Sequence, residues 1–178
     1  MSLALVTAEA PLGRMLSPVG ALQAHLQSLR ELVAGLGAGR YCATPSRASG
    51  SVGEHVRHCV DHARALLAAV SDGRLTYDSR LRGTRVETDP LFAANAIDAV
   101  CADLESLEAL DLDRLLRLDT RLHDDVGPSP IVTTLGREIA FVVQHTIHHC
   151  AIVAVLLDTL GETLPTRFGY APSTPVRH

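Results

Sequence analysis

The sequence predicts an all-α protein built as a four-helix bundle, and three observations predict it. Four stretches repeat apolar residues at helical spacing, each opening on a cap residue. The 178 residues are 47% hydrophobic and 20% charged, which suits one domain with a sizeable core and excludes a disordered chain. Residues 135–160, LGREIAFVVQHTIHHCAIVAVLLDTL, are proline-free and apolar over long runs, yet they carry Glu138, His145, His148 and His149. Such groups are penalised on burial unless something binds them.

The first helix is announced by Ser17 as N-cap and Pro18 at its first position, and Leu22, Leu26, Leu29, Val33 and Leu36 form its stripe over about residues 18–36. Glycines 35, 37 and 39 dissolve the pattern, and residues 37–50 read as a connecting loop. A second helix, residues 51–70, has a stripe of Val52, Val56, Val60, Ala63 and Leu67, with His55, His58 and His62 on one flank. The link 71–88 contains Arg74, Arg80, Arg82 and Arg85 beside Tyr77. It reads as a solvated crossover whose arginines pair with nearby acids, the functional alternative being a clamp for an anionic substrate group. Asp89 and Pro90 open a third helix, residues 90–110, with a seam of Ile97, Cys101, Leu104 and Leu107. Leu116, Leu118, Thr120 and Leu122 then alternate with charged residues, and Ile131-Val132-Thr133 offers a partner, so a small hairpin is expected between helices three and four. Thr134 caps the fourth helix, residues 135–160. In the tail, residues 161–178, Phe168 and Tyr170 are the expected anchors, and residues 1–178 are read as one domain.

A formal charge of −4 and a pI near 6.1 leave no basic footprint for nucleic acid. The opening MSLALVTAEA lacks a basic n-region, and no uninterrupted apolar span of 18 residues follows. The expectation is a cytoplasmic protein without membrane contact. Cys42, Cys59, Cys101 and Cys150 have no CxxC spacing and read as reduced thiols.

At 100° per residue, His145 and His149 stand about 40° apart on one helical face, one turn from each other, where two imidazoles can hold one metal ion. The face also carries Leu135, Glu138, Val142, Val153 and Leu156, so the pair points inward. A third ligand is expected from the flank of the second helix. Periodicity does not choose among His55, His58 and His62, although His55 and His62 lie slightly nearer the stripe. Glu138 sits about 10 Å before His145, too far to share its ion through that helix, and is expected to pair with an arginine, support the site indirectly or interact with the helix dipole. His148 points to the other side of His145, as a substrate-side group or alternative ligand. HExxH would need Glu where the chain has Thr146, which disfavours a thermolysin-like peptidase.

SVGEHVRHCVDH, followed much later by QHTIHHCAIVAVLL, resembles the DinB/YfiT-like family of small bacterial four-helix metalloproteins, unrelated to the DNA polymerase that shares the DinB name. The resemblance covers roughly residues 15–170, with TLGREIAFVVQHTIHH and RFGYAPSTP similar to one branch. It implies a divalent metal bound by one His of an H-x-x-D-H pattern, here His58 with Asp61 and His62, and by an H-x-x-x-H pair, here His145 and His149. His55, His62, His148 and Glu138 then stand around the ligands or on the substrate side. Where many members have Arg-Gly-Gln after the pair, this chain has Cys150, Ala151 and Ile152.

Three imidazoles leave a coordination position open, as catalytic sites do, and zinc, nickel or ferrous iron would each accept them. The resemblance further implies a transferase that uses a low-molecular-weight thiol such as bacillithiol or mycothiol on a small-molecule substrate, and a homodimer. The alternatives are metal-assisted hydrolysis and a non-catalytic metal-holding stress or interaction protein.

Overall fold

The computed structural model describes residues 16–45, 50–79 and 81–175. Helix α1, Pro18–Ala34, starts where Ser17 Oγ accepts the amide of Gly20 at 2.8 Å and buries Val19, Leu22, Leu26, Leu29 and Val33. It stops two residues before the expected end because Gly35 closes it. A one-turn helix α2, Ala38–Tyr41, stands where a loop was expected. Its Tyr41 is fully buried and donates its hydroxyl to the carbonyl of Val86 at 2.6 Å.

Helix α3, Val52–Asp72, has a reciprocal cap: Glu54 N–H donates to Ser51 Oγ, and Ser51 N–H donates to Glu54 Oε2. Gly73 ends it at φ 75°, a left-handed conformation that favours glycine. The chain then forms the short strand β1, Arg74–Leu75, and a second one-turn helix α4, Arg85–Thr88. Helix α5, Pro90–Leu104, begins at Asp89, whose carboxylate accepts the Phe92 amide at 3.0 Å. A 3-10 turn, Glu105–Leu107, replaces its expected last turn.

Strands β2, Leu115–Thr120, and β3, Ser129–Thr134, pair antiparallel from Leu115 opposite Thr134 to Thr120 opposite Ser129. The expected hairpin is therefore part of a three-stranded sheet ordered β1-β2-β3. The Gly73 turn delivers Arg74 and Leu75 alongside β2 in parallel, and Arg117 N–H donates to Gly73 O at 2.9 Å. Leu122 lies beyond the strand and is exposed.

Helix α6, Leu135–Thr159, runs for 25 residues, about 37 Å. Thr134 Oγ1 accepts the Arg137 amide at its start. Helix α1 packs on α5 and α6, and α3 packs on the same two from the other side. The four long helices thus enclose one apolar core, while α2, α4 and the sheet close its ends, so the helical architecture is richer than four helices alone. Helix α6 has the length and hydropathy of a membrane-crossing segment, but its packing on α1 and α3 is that of a core helix.

Candidate metal centre

The site lies where α3 faces α6. Residues 55, 58 and 62 are three and four apart on α3, and 145 and 149 are four apart on α6, so each helix turns its imidazoles toward the other. His58 Nε2 is 2.8 Å from His145 Nε2, and His149 Nε2 is 3.2 Å from the same atom. One ion with nitrogens at 2.0–2.1 Å in a tetrahedron sets them about 3.3 Å apart, so the 3.2 Å separation fits a shared ion as it stands and the 2.8 Å one fits after widening by about 0.5 Å. His62 joins them: ligand atoms of His58, His62 and His145 all lie within 4.8 Å of one another. Sequence geometry left His62 on the flank, and the structure brings it into the cluster.

The outward-facing nitrogens hold the rings. His62 Nδ1 lies 2.9 Å from the His58 carbonyl, which can only accept, so that nitrogen carries the proton and Nε2 keeps its lone pair. His149 Nδ1 meets His55 Nδ1 at 2.8 Å. Burial first, and then the neighbouring histidines, lower the His149 pKa to about 3, so its ring is neutral, as a ligand must be. His55 is shifted downward, also chiefly by burial. Tyr77 stacks on His62 with ring centres 4.7 Å apart and donates its hydroxyl to Glu138 Oε2 at 3.0 Å. Thr133 donates to the other oxygen at 2.8 Å. Among the described residues Glu138 therefore pairs with two hydroxyls rather than an arginine, and it reaches the cluster through the Tyr77 ring. Burial and then the Glu138 carboxylate push the Tyr77 pKa upward.

A cavity of about 380 Å³ opens over His58 and His149, walled by Glu54, His55, Arg57, Arg82 and Ile152. The four arginines of the link divide sharply. Arg74 pairs with Asp119 and Arg85 with Asp89, as a solvated crossover predicts. Arg82 lines the cavity, and Arg80 lies outside the described residues. Arg57 is the residue that sequence reasoning missed. It is buried, with Nη1 on Asp61 at 2.9 Å and Nε on Glu87 at 2.6 Å. The readable signal was an Arg four residues before an Asp, next to His58 on the inner flank.

His148 is exposed and has its ring 5.4 Å from that of His149. The four cysteines are free, and burial raises the thiol pKa values of Cys59 and Cys150. In the tail Phe168 is buried and Tyr170 is exposed, so only the first is an anchor. Gly169 completes that contact: a Cβ there would stand 2.8 Å from the Cys150 carbonyl oxygen.

A sequence model of the DinB superfamily matches residues 21–153. The chain belongs to the DinB superfamily. Its fold is also that of a DinB-like protein from Bacillus subtilis, whose crystal structure superposes with a TM-score of 0.61 at 20% identity, over 85% of this chain and 97% of that one. FK506-binding protein 5 of Rhizopus delemar is 32% identical over 101 residues. That match takes in 56% of this chain and 26% of the fungal protein, so the chain spans only part of its relative's length. In this DinB-like chain the histidine cluster is compatible with a divalent metal, and the matched region contains all of its members.

Proposed function

We propose that this chain is a metal-dependent enzyme of thiol S-transferase type, with His58, His145 and His149 as ligands and no protein nucleophile. One observation carries the reading: the Nε2 atoms of His58 and His149 flank that of His145 at 2.8 and 3.2 Å, and the first and last of these residues line the cavity. His62 lies on the opposite, closed side, against Tyr77. A zinc, nickel or ferrous ion there would supply a Lewis acid that lowers the pKa of a thiol such as bacillithiol or mycothiol.

The chain's own residues do the rest. His55 Nδ1 accepts the Nδ1–H of His149, fixing the tautomer that leaves Nε2 as the ligand atom. Arg57, held by Asp61 and Glu87, stiffens the cavity wall. Ile152 keeps part of it apolar. In the transfer, sulfur bonds to an electrophilic carbon of the small-molecule substrate, the leaving group departs with the bonding pair, and the thiol proton is lost to solvent at the cavity mouth. The free cysteines accord with a reducing cytoplasm.

His62 favours a second reading. If it ligates along with the other three, the tetrahedron closes and the site is a structural one, in a metal-holding interaction protein. Cobalt-substituted protein separates the two. Addition of bacillithiol or mycothiol should produce a sulfur-to-cobalt charge-transfer band and conjugate formation with monochlorobimane above the uncatalysed rate. No band and no rate enhancement would favour the closed site.

A further inference from the structure

Two groups at the cavity are left over once the fold and the metal cluster are accounted for. His55 is only 7% exposed, and its Nε2 is buried with no hydrogen-bond partner. When His149 ligates through Nε2, its Nδ1 carries the proton, and His55 Nδ1 at 2.8 Å must accept it. His55 is then the Nε2–H tautomer, and that nitrogen is a donor that the protein does not satisfy. A buried donor without an acceptor is destabilising, and an oxygen of a ligand would satisfy it.

The second group is Arg82. Of the charged residues that wall the cavity, Glu54 is committed to the Ser51 amide at 2.7 Å, and Arg57 to Asp61 and Glu87. Arg82 has no ion-pair or hydrogen-bond partner among the described residues. One unspent positive charge and one neutral N–H donor match a monoanion with two acceptor oxygens.

We propose that this cavity binds the carboxylate of a small acid that also bears the reacting thiol, held by Arg82 and by the Nε2–H of His55. The inference rests on the metal–thiol reading for the thiol end alone. The carboxylate end follows from the wall. Arg82 and His55 are specificity residues: they select acids over neutral thiols of the same size.

The test titrates cobalt-loaded protein at pH 8 with 3-mercaptopropionate and with its neutral twin 3-mercaptopropionamide, following the charge-transfer band and, in parallel, the heat of binding. The acid should bind at least about tenfold more tightly than the amide, and the ratio should fall below about threefold in Arg82→Gln, an exposed position whose replacement leaves the fold intact. Equal affinities for acid and amide in the wild type would overturn the proposal. So would a preference that Arg82→Gln leaves unchanged. Heat with the acid alone, abolished by Arg82→Gln and unaccompanied by a band, would sustain the carboxylate site and sink the metal–thiol reading. Neither heat nor band would sink both.

Discussion

Replacing Gly53 by Ala tests how the cavity wall is built. Gly53 is in the first turn of α3, and a Cβ there would stand 2.1 Å from the carbonyl oxygen of Glu87 and 2.8 Å from Cε1 of Tyr41. Ordinary carbon–oxygen contact begins near 3.3 Å, so α4 must retreat by about 1.2 Å. That retreat strains the Tyr41 hydroxyl bond to Val86 and the Arg57 pair with Glu87, both at 2.6 Å. Overpacking costs about 1–3 kcal/mol and a lost buried hydrogen bond about 1. Against this, Ala improves helix propensity by at most about 1 kcal/mol. The net expectation is a loss of about 2 kcal/mol, or a Tm lower by about 4–8 °C for a chain of this size, read by calorimetry or denaturant unfolding. A Gly53→Ala protein as stable as wild type, or more so, would refute the reasoning, since propensity alone demands that opposite sign.

Two further outcomes are expected. Tyr77→Phe removes the hydroxyl that Glu138 accepts and should cost about 1–2 kcal/mol of stability, while metal stoichiometry stays at the wild-type value because the ring still stacks on His62; unchanged unfolding would remove Glu138 and Tyr77 from the support of the site. For metal-free protein, the His149 pKa of about 3 against 6.5 unfolded means that the unfolded chain takes up the proton first. Stability is therefore full above pH 6.5 and lost as pH falls toward 3, by about 1 kcal/mol at pH 5 after discounting for solvent in the open cavity. Urea unfolding at pH 7.5 and 5 would show it, and greater stability at pH 5 would contradict the sign.

The long elements were legible because they carry a period and a cap. Ser17, Ser51, Asp89 and Thr134 each stand at the start expected of them, and His145 and His149 fall on the inward face that the helical repeat dictates. The short elements were not, because one turn of helix or two residues of strand has no period. Helix α2 exists through the burial of Tyr41 against Val86, and β1 through its pairing with β2. Both are tertiary facts. Within the site, helical angle alone left His55, His58 and His62 equivalent, and side-chain direction separated them: His58 and His62 turn into the cluster, while His55 backs His149. Arg82 belongs to a stretch with no repeating pattern at all, so its place at the cavity could come only from the path of the chain.

Whether His58, His145 and His149 together hold one divalent ion is decided by metal content, measured by elemental analysis of untagged protein with each of these residues and His62 replaced by Ala. Near one ion per chain is expected in the wild type and in His62→Ala, with loss of the ion in His58→Ala, His145→Ala and His149→Ala. A wild type that stays metal-free after incubation with zinc, nickel and ferrous iron would contradict it.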